Sequence, residues 1–460
     1  MKRDVMDPSR RAFLKQASAL SLAGLATPWA MSLAAMGEAA AAGATDYKAL
    51  VCVFLYGGND YANTLIPYDQ TNYNLYNGLR PTLAYTRSAL DGTVLVPTQA
   101  LAGGRQYALA PELAPLLPIF NAGKMATVLN VGTLVQPTTK AQYQAKSVPL
   151  PPKLFSHNDQ QSVWQSSSPE GATTGWGGRM GDLVMAGNGN ATFTCVNVSG
   201  NAVYLSGGTA VQYQVSTSGP VPLRAASSLF GSSGAAAALQ TLITQPSPQL
   251  LEAEYSRVTK RALDTGSQLT SNLVPASAIT TAFPTGNSLA DQLKMVARMI
   301  ASAGAIGAKR QVFFVSLGGF DTHDGLLNVH PGLLTSVSSA LAAFYNATVD
   351  LGVASQVTTF TASDFGRTLS GNNDGSDHGW GSMHFVLGGA VKGKQLYGTP
   401  PAVANNGPDD VGEGRLLPTL SVDQYAATLG GWFGISNTDL LTVLPNLRNF
   451  NASSWNIGFV

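Results

Sequence analysis

Charge is what this sequence has least of: Lys, Arg, Asp and Glu make up 12% of its 460 residues, about half the usual share of roughly 25%. With no basic patch or run, a nucleic-acid surface is excluded, because neutralising phosphates requires clustered Lys and Arg. Histidine is scarcer still, at five residues, and cysteine scarcest, at two. Among so few soft donors there is no haem or iron–sulfur ligand pattern. Cys52 and Cys195 leave two readings open: a disulfide in an oxidising compartment, or two buried thiols, which the apolar run around Cys52 suits equally well. Gly is plentiful at 49 residues, as are Ser, Thr and Asn, a composition that fits an exported, loop-rich protein. The length allows one large α/β domain or two smaller ones.

The N-terminus reads as a targeting segment. Ser9-Arg10-Arg11-Ala12-Phe13-Leu14-Lys15 is a twin-arginine signature, followed by an Ala/Leu-rich stretch and the small residues Ala39–Ala44 that offer cleavage sites. Pro28, Gly24 and several serines keep the stretch only modestly hydrophobic, so removal is expected rather than stable membrane insertion. Residues 1–43 hold five bases (Lys2, Arg3, Arg10, Arg11, Lys15) and three acids (Asp4, Asp7, Glu38), so losing them takes the net charge from +1 to −1. The expected partner is the twin-arginine export machinery and the expected destination is the periplasm or beyond. That route carries folded proteins, often with a metal or cofactor already bound.

Four of the five histidines (His323, His330, His378, His384) fall between Gln311 and Lys392, beside Asp321, Asp324, Asp364, Asp374 and Asp377. Gln311–Leu317 and Gln356–Thr361 are short apolar, β-branched runs that end in Gly or Ser followed by an acid, and helical spacing of Leu333, Leu334, Val337, Leu341 and Phe344 lies between them. Strand, helix, strand is the reading. In open α/β sheets, ligands bind where loops converge at the carboxyl ends of parallel strands. Any one of these residues also fits a structural role, as a helix cap or a hydrogen-bonded histidine. Clustering at three strand ends argues for a divalent metal, and carboxylate mixed with imidazole suits Zn²⁺ or Mn²⁺ better than Mg²⁺ or Ca²⁺.

Elsewhere, Lys48–Tyr56 is a continuous apolar run expected as a strand buried on both faces. It leads into Gly57-Gly58-Asn59-Asp60, which places Asp60 as a further ligand and Asn59 beside the substrate. Leu317-Gly318-Gly319-Phe320-Asp321 repeats the same pattern of strand, two glycines, one spacer and aspartate. Ala110–Phe120 reads as a helix and Met125–Val135 as a core strand. Ser156 reads as a helix N-cap, with a second role as a nucleophile activated by a metal or by His157. From Gly175 to about Leu223, Thr, Val, Ser and Gly predict β-hairpins, with a β-rich insertion at about 190–223. Gln249–Gln268 and Ser288–Gly304 read as helices, Phe385–Gly389 as another core strand, and Ser421–Phe433 as a helix capped by Ser421.

Together the twin-arginine start, FLYGGNDYANTLIPY, GGFDTH, TASDFGRT, SDHGWGSMHFVLGGAVKG and PTLSVDQYAATL resemble a secreted bacterial family of unknown function, DUF1501. That family in turn is similar to the alkaline phosphatase and sulfatase superfamily. The resemblance implies an α/β fold in which a mostly parallel sheet is flanked by helices, with residues 44–460 as a single domain. It also implies metal-dependent hydrolysis of phosphate or sulfate esters with one or two divalent ions. By position, Asp60, Asp321, His323, Asp364 and either His378 or His384 resemble metal ligands, and Ser156 the capping nucleophile. Where the superfamily has Asp-His-Gly, this chain has Asp364-Phe365-Gly366, and Asp377-His378-Gly379 supplies that trio in the next loop. Arg367 is expected to hold the anionic ester, a sulfated or phosphorylated glycan among the candidates. The alternative is a noncatalytic exported binding protein on the same fold.

Overall fold

The computed structural model describes residues 47–460, so the expected export segment, 1–43, lies outside the described residues. The main sheet has strands β1 (Lys48–Leu55), β2 (Met125–Gly132), β3 (Cys195–Asn197), β4 (Tyr213–Ser216), β5 (Gly219–Pro220), β6 (Arg310–Leu317), β7 (Val357–Ser363), β8 (Ser382–Gly388), β9 (Gln395–Tyr397) and β10 (Leu420–Ser421). Their order is β9-β2-β8-β7-β1-β6-β3-β4-β5, with β10 also beside β2. Followed outward from β1, only β5 and β8 run antiparallel to it. The longer helices are α1 (Gln70–Leu79), α2 (His157–Ser166), α3 (Trp176–Val184), α4 (Ser233–Thr244), α5 (Leu250–Asn272), α6 (Ser288–Ala301), α7 (Leu326–Asp350) and α8 (Val422–Phe433). The architecture is thus α/β, a mostly parallel sheet flanked by helices.

Strand β1 shows why an unbroken apolar run was needed. Its side chains alternate between faces, and both faces are buried. Ala49, Val51, Val53 and Leu55 join a core with Leu293 of α6 and Phe344 of α7. Leu50, Cys52 and Phe54 join the opposite core with Met180 of α3 and Tyr425 of α8. Ser421 caps α8 through a reciprocal box with Gln424.

Three local expectations change. Residues 111–116 form a 3₁₀ turn and Leu117–Asn121 a short helix, because Pro115 and Pro118 remove the donors a continuous helix needs. Trp176–Val184 is a helix rather than part of a hairpin region, with Trp176 and Met180 giving it a buried face. Within 190–223, β3 and β4 extend the edge of the main sheet in parallel, and only β4 and β5 pair as a hairpin. Cys52 and Cys195 are both free and buried. Strand β6 runs between theirs, which puts them two strand spacings, about 10 Å, apart and out of disulfide reach.

Candidate metal centre

Strands β1, β6 and β7 are parallel neighbours, so their carboxyl ends deliver three loops to one rim. Gly57 and Gly58 leave β1 with φ of 114° and 86°. A Cβ on Gly57 would lie 2.3 Å from the Asp321 backbone nitrogen, and one on Gly58 would lie 2.5 Å from the Phe365 ring. Only glycine lets the three loops approach this closely.

Four side chains meet on that rim. One ligand atom each from His157, Asp321 and His378 lie within 4.8 Å of one another. His157 Nε2 is 3.4 Å from Asp321 Oδ2 and His378 Nε2 is 3.2 Å from Asp321 Oδ1. His323 adds a third imidazole, its Nε2 3.1 Å from Asp321 Oδ1 and 2.9 Å from His378 Nε2. Each ring is anchored from behind through Nδ1: His157 to Asp364 Oδ2 at 2.6 Å, His323 to Asp377 Oδ1 at 3.1 Å, and His378 to the Phe155 carbonyl at 2.7 Å. Carboxylate and carbonyl oxygens here accept, so each Nδ1 carries the proton, and in a neutral ring the lone pair lies on Nε2. Three nitrogen lone pairs and a carboxylate therefore face one another.

Such a constellation is repulsive unless something positive sits within it. Ligand atoms about 2.0–2.1 Å from a tetrahedral ion lie about 3.4 Å apart, close to the separations found. His157 Nε2 is buried and has no hydrogen-bond partner. The three carboxylates Asp321, Asp364 and Asp377 outnumber the nearby guanidinium of Arg367, so the local field also favours a cation. The residues fit a divalent metal, with imidazole nitrogen predominating.

The surroundings fix this set in place. Arg367, fully buried, donates to Asp321 Oδ1 at 2.6 Å, to the Gly57 carbonyl at 3.2 Å and to the Ser376 carbonyl. Burial would push the Asp321 carboxyl up, but Arg367 and the imidazoles outweigh it and hold it below its ordinary value. The hydrogen bond to Asp364 raises the His157 imidazole, whereas burial lowers that of His378. The Phe365 ring lies 4.9 Å from the His157 ring and 4.8 Å from the His378 ring, an apolar floor where the superfamily pattern has histidine. Phe155 holds a left-handed φ of 72°, and Arg415 lies over its ring while donating to the His378 carbonyl at 3.0 Å. That strain aims the Phe155 carbonyl at His378.

Other expected site residues lie elsewhere or take other roles. Asp60, expected as a ligand, is fully buried in a bidentate pair with Arg80 (2.7 and 2.5 Å) and also accepts from Asn63 N and Ser376 Oγ. Burial would raise its carboxyl, and Arg80 instead holds it well below the carboxylate range. Asn59, expected beside substrate, is buried between Thr64 and His330. His384, expected as the last ligand, points into the core within strand β8, against Trp164 and Tyr425, where burial lowers its imidazole to about 3. Asp364 and Asp377 stand behind the ligand atoms as orienting acceptors. Arg367 holds Asp321, with no free fork for an anion. Ser156 precedes α2 without capping it, because its hydroxyl donates to Asp159 Oδ2 at 3.0 Å. His157, expected as a base, turns its Nε2 toward Asp321 with Nδ1 on Asp364. Missed altogether were Gln161, which donates to Asp364 Oδ2 at 2.8 Å, and the Phe155 carbonyl. Gln161 was findable, since it follows His157 by four residues and so shares its helical face.

A family profile described as "Protein of unknown function (DUF1501)" matches residues 47–443. The chain belongs to that family. No curated protein matches its sequence. Solved structures similar to this DUF1501 chain include Ps i-CgsB in complex with k-i-k-neocarrahexaose, at 9% identity and a TM-score of 0.35, covering 88% of this chain and 77% of that one. Another is the lipoteichoic acid synthase LtaP from Listeria monocytogenes, at 8% identity and a TM-score of 0.34, covering 90% and 81%. Likenesses this slight carry no chemistry, which rests on the DUF1501 side chains themselves.

Proposed function

We propose that this DUF1501 protein is an exported metal-dependent hydrolase of phosphate or sulfate esters, anionic glycans among them. The observation that carries the reading is the anchoring of three Nδ1 protons on oxygen, which leaves three Nε2 atoms converging on Asp321. Such outer hydrogen bonds orient metal-ligating histidines and raise their basicity. His157, His378 and Asp321 would hold one ion, with His323 beside Asp321 and His378, and Zn²⁺ or Mn²⁺ would be preferred to Mg²⁺ or Ca²⁺. The ion would supply Lewis-acid charge to an ester oxygen and lower the pKa of the attacking water. The chain's own part is to hold that geometry: Arg367 pins Asp321, Asp364 and Asp377 fix the His157 and His323 rings, and Phe365 packs against those of His157 and His378. Asp321 and His323 remain partly open to solvent, so a substrate can reach them.

Water is the attacking group in this reading, because the Ser156 hydroxyl is turned to Asp159 and makes no contact with the rim imidazoles among the described residues. The same observation favours a second reading, a noncatalytic binding protein that has the metal but no protein nucleophile. Turnover of aryl phosphate and sulfate esters by the Zn²⁺- or Mn²⁺-loaded protein separates the two. Hydrolysis that is lost in Asp321→Ala and kept in Ser156→Ala supports the enzyme, and a metal-loaded protein silent on every ester supports the binder. Export by the twin-arginine machinery to the periplasm or beyond belongs to the same proposal. Replacing Arg10 and Arg11 with Lys should leave the precursor in the cytoplasm.

A further inference from the structure

Among the described residues, the large apolar side chains most open to solvent, Phe230 at 96%, Leu251 at 83% and Leu250 at 82%, all fall in one stretch that leads from β5 into α5. No charged residue occurs between Arg224 and Glu252. The stretch forms a tight turn, then α4, a link through Pro246 and Pro248, and the start of α5, which packs beside α4.

The turn itself is unusual. Leu229 and Ser232 exchange backbone hydrogen bonds of 3.2 and 2.9 Å around Phe230 and Gly231, whose φ values are 52° and 76°. Two left-handed corners suit Asn-Gly, whereas a phenylalanine is unfavourable there. This ring gains no burial in return. The charges that border the stretch are unequal too. Arg257 pairs with Glu254 at 2.5 Å and Lys260 with Asp264 at 2.6 Å, while Ser247 donates to Glu252. Arg224 and Arg261 have neither an ion pair nor a side-chain hydrogen bond among the described residues. The border of the uncharged, apolar stretch thus carries two guanidinium groups without a close ion pair, Arg224 before it and Arg261 along α5, against one carboxylate without a basic partner, Glu252.

We propose that this stretch is a peripheral membrane-binding surface. Phe230, Leu250 and Leu251 enter the interfacial layer of a bilayer, and Arg224 and Arg261 meet anionic headgroups. Apolar insertion combined with basic contacts is the two-signal arrangement that holds a protein on a membrane surface. The inserted stretch itself has no charge, and Glu252, next to Leu251, stays at the headgroup level. A second copy is the poorer occupant, since a two-fold contact through this patch brings together two borders that are each net positive, Arg224 and Arg261 against Glu252. None of the described helices is long and apolar enough to cross a membrane, so the surface lies on the bilayer. The proposal is independent of the metal centre.

The test is flotation of the full chain with phosphatidylglycerol and phosphatidylcholine vesicles. The apolar N-terminal stretch can itself contact lipid, so the decisive comparison is with Phe230→Asn in the same chain, a change the turn tolerates. The variant should bind phosphatidylglycerol vesicles about ten-fold more weakly or worse, as expected for one lost aromatic insertion. Arg261→Gln should lose the preference for phosphatidylglycerol, and both variants should keep the parent's metal content. Equal vesicle binding by the parent and Phe230→Asn overturns the proposal. So does a concentration-dependent dimer that Phe230→Asn abolishes without changing vesicle binding, which would assign the patch to a second copy.

Discussion

Changing Asp364 to Asn removes one negative charge from behind His157 and leaves the shape of the side chain intact. Its Oδ2 accepts from His157 Nδ1 at 2.6 Å, Gln161 Nε2 at 2.8 Å and Gly57 N at 3.2 Å, with the side chain fully buried. An amide oxygen is a weaker acceptor by about a factor of two. An amide nitrogen facing the ring would instead move the proton to Nε2 and abolish that ligand atom. Loss of such an orienting partner weakens metal binding about 10- to 100-fold, or roughly 1.4–2.8 kcal/mol. Asp377 makes the matching contact to His323 at 3.1 Å, but its side chain is 43% exposed. Solvent screening should hold the effect of Asp377→Asn below about 1 kcal/mol. Competition between each protein and a chelator of known affinity, with Zn²⁺ or Mn²⁺, gives both values, and circular dichroism checks the fold. Equal losses in the two variants, or no loss at Asp364, would refute the anchoring logic.

Asp60→Ala should leave Arg80 buried without its carboxylate and destabilise the fold by about 3–5 kcal/mol, seen in denaturant unfolding. Whatever folded protein remains should bind metal like the parent. Acid should destabilise the protein for a separate reason. Burial lowers His330 to about 4 and His384 to about 3, so below pH 6.5 the unfolded chain takes up protons that the folded state refuses. Stability from these two residues is intact above pH 6.5 and falls by about 2 kcal/mol each by pH 5. Asp423 acts in the opposite sense, because burial raises it to about 6 and its uptake of a proton stabilises the fold by about 1 kcal/mol over the same range. The net loss is about 3 kcal/mol between pH 7 and 5, measured by urea unfolding, and His384→Phe should cut it to about 1 kcal/mol.

The sheet was largely legible in the sequence because β1 is buried on both faces and so had to be an unbroken apolar run, while its neighbours β6 and β7 are apolar or β-branched. Helix Trp176–Val184 was not legible, since its Gly-rich N-terminal turn resembles a loop and its burial depends on distant strands. At the rim, Asp321, His323 and His378 could be grouped from strand ends alone, but the direction each side chain faces could not. The repeated pattern of two glycines, a spacer and aspartate shows this well. At Asp321 it delivers a carboxylate to the imidazoles, and at Asp60 it turns the carboxylate inward to Arg80, a partner twenty residues on with nothing local to announce it. His384 sits inside β8, which runs antiparallel to β7, so nothing in its spacing reveals that it faces Trp164 rather than the rim.

Elemental analysis of the purified folded protein, set beside His157→Ala and Asp321→Ala, bears most directly on the converging imidazoles. The expected result is about one equivalent of Zn²⁺ or Mn²⁺ in the parent and a large loss in both variants. A folded parent that carries no metal and takes up neither ion at micromolar concentration would contradict it.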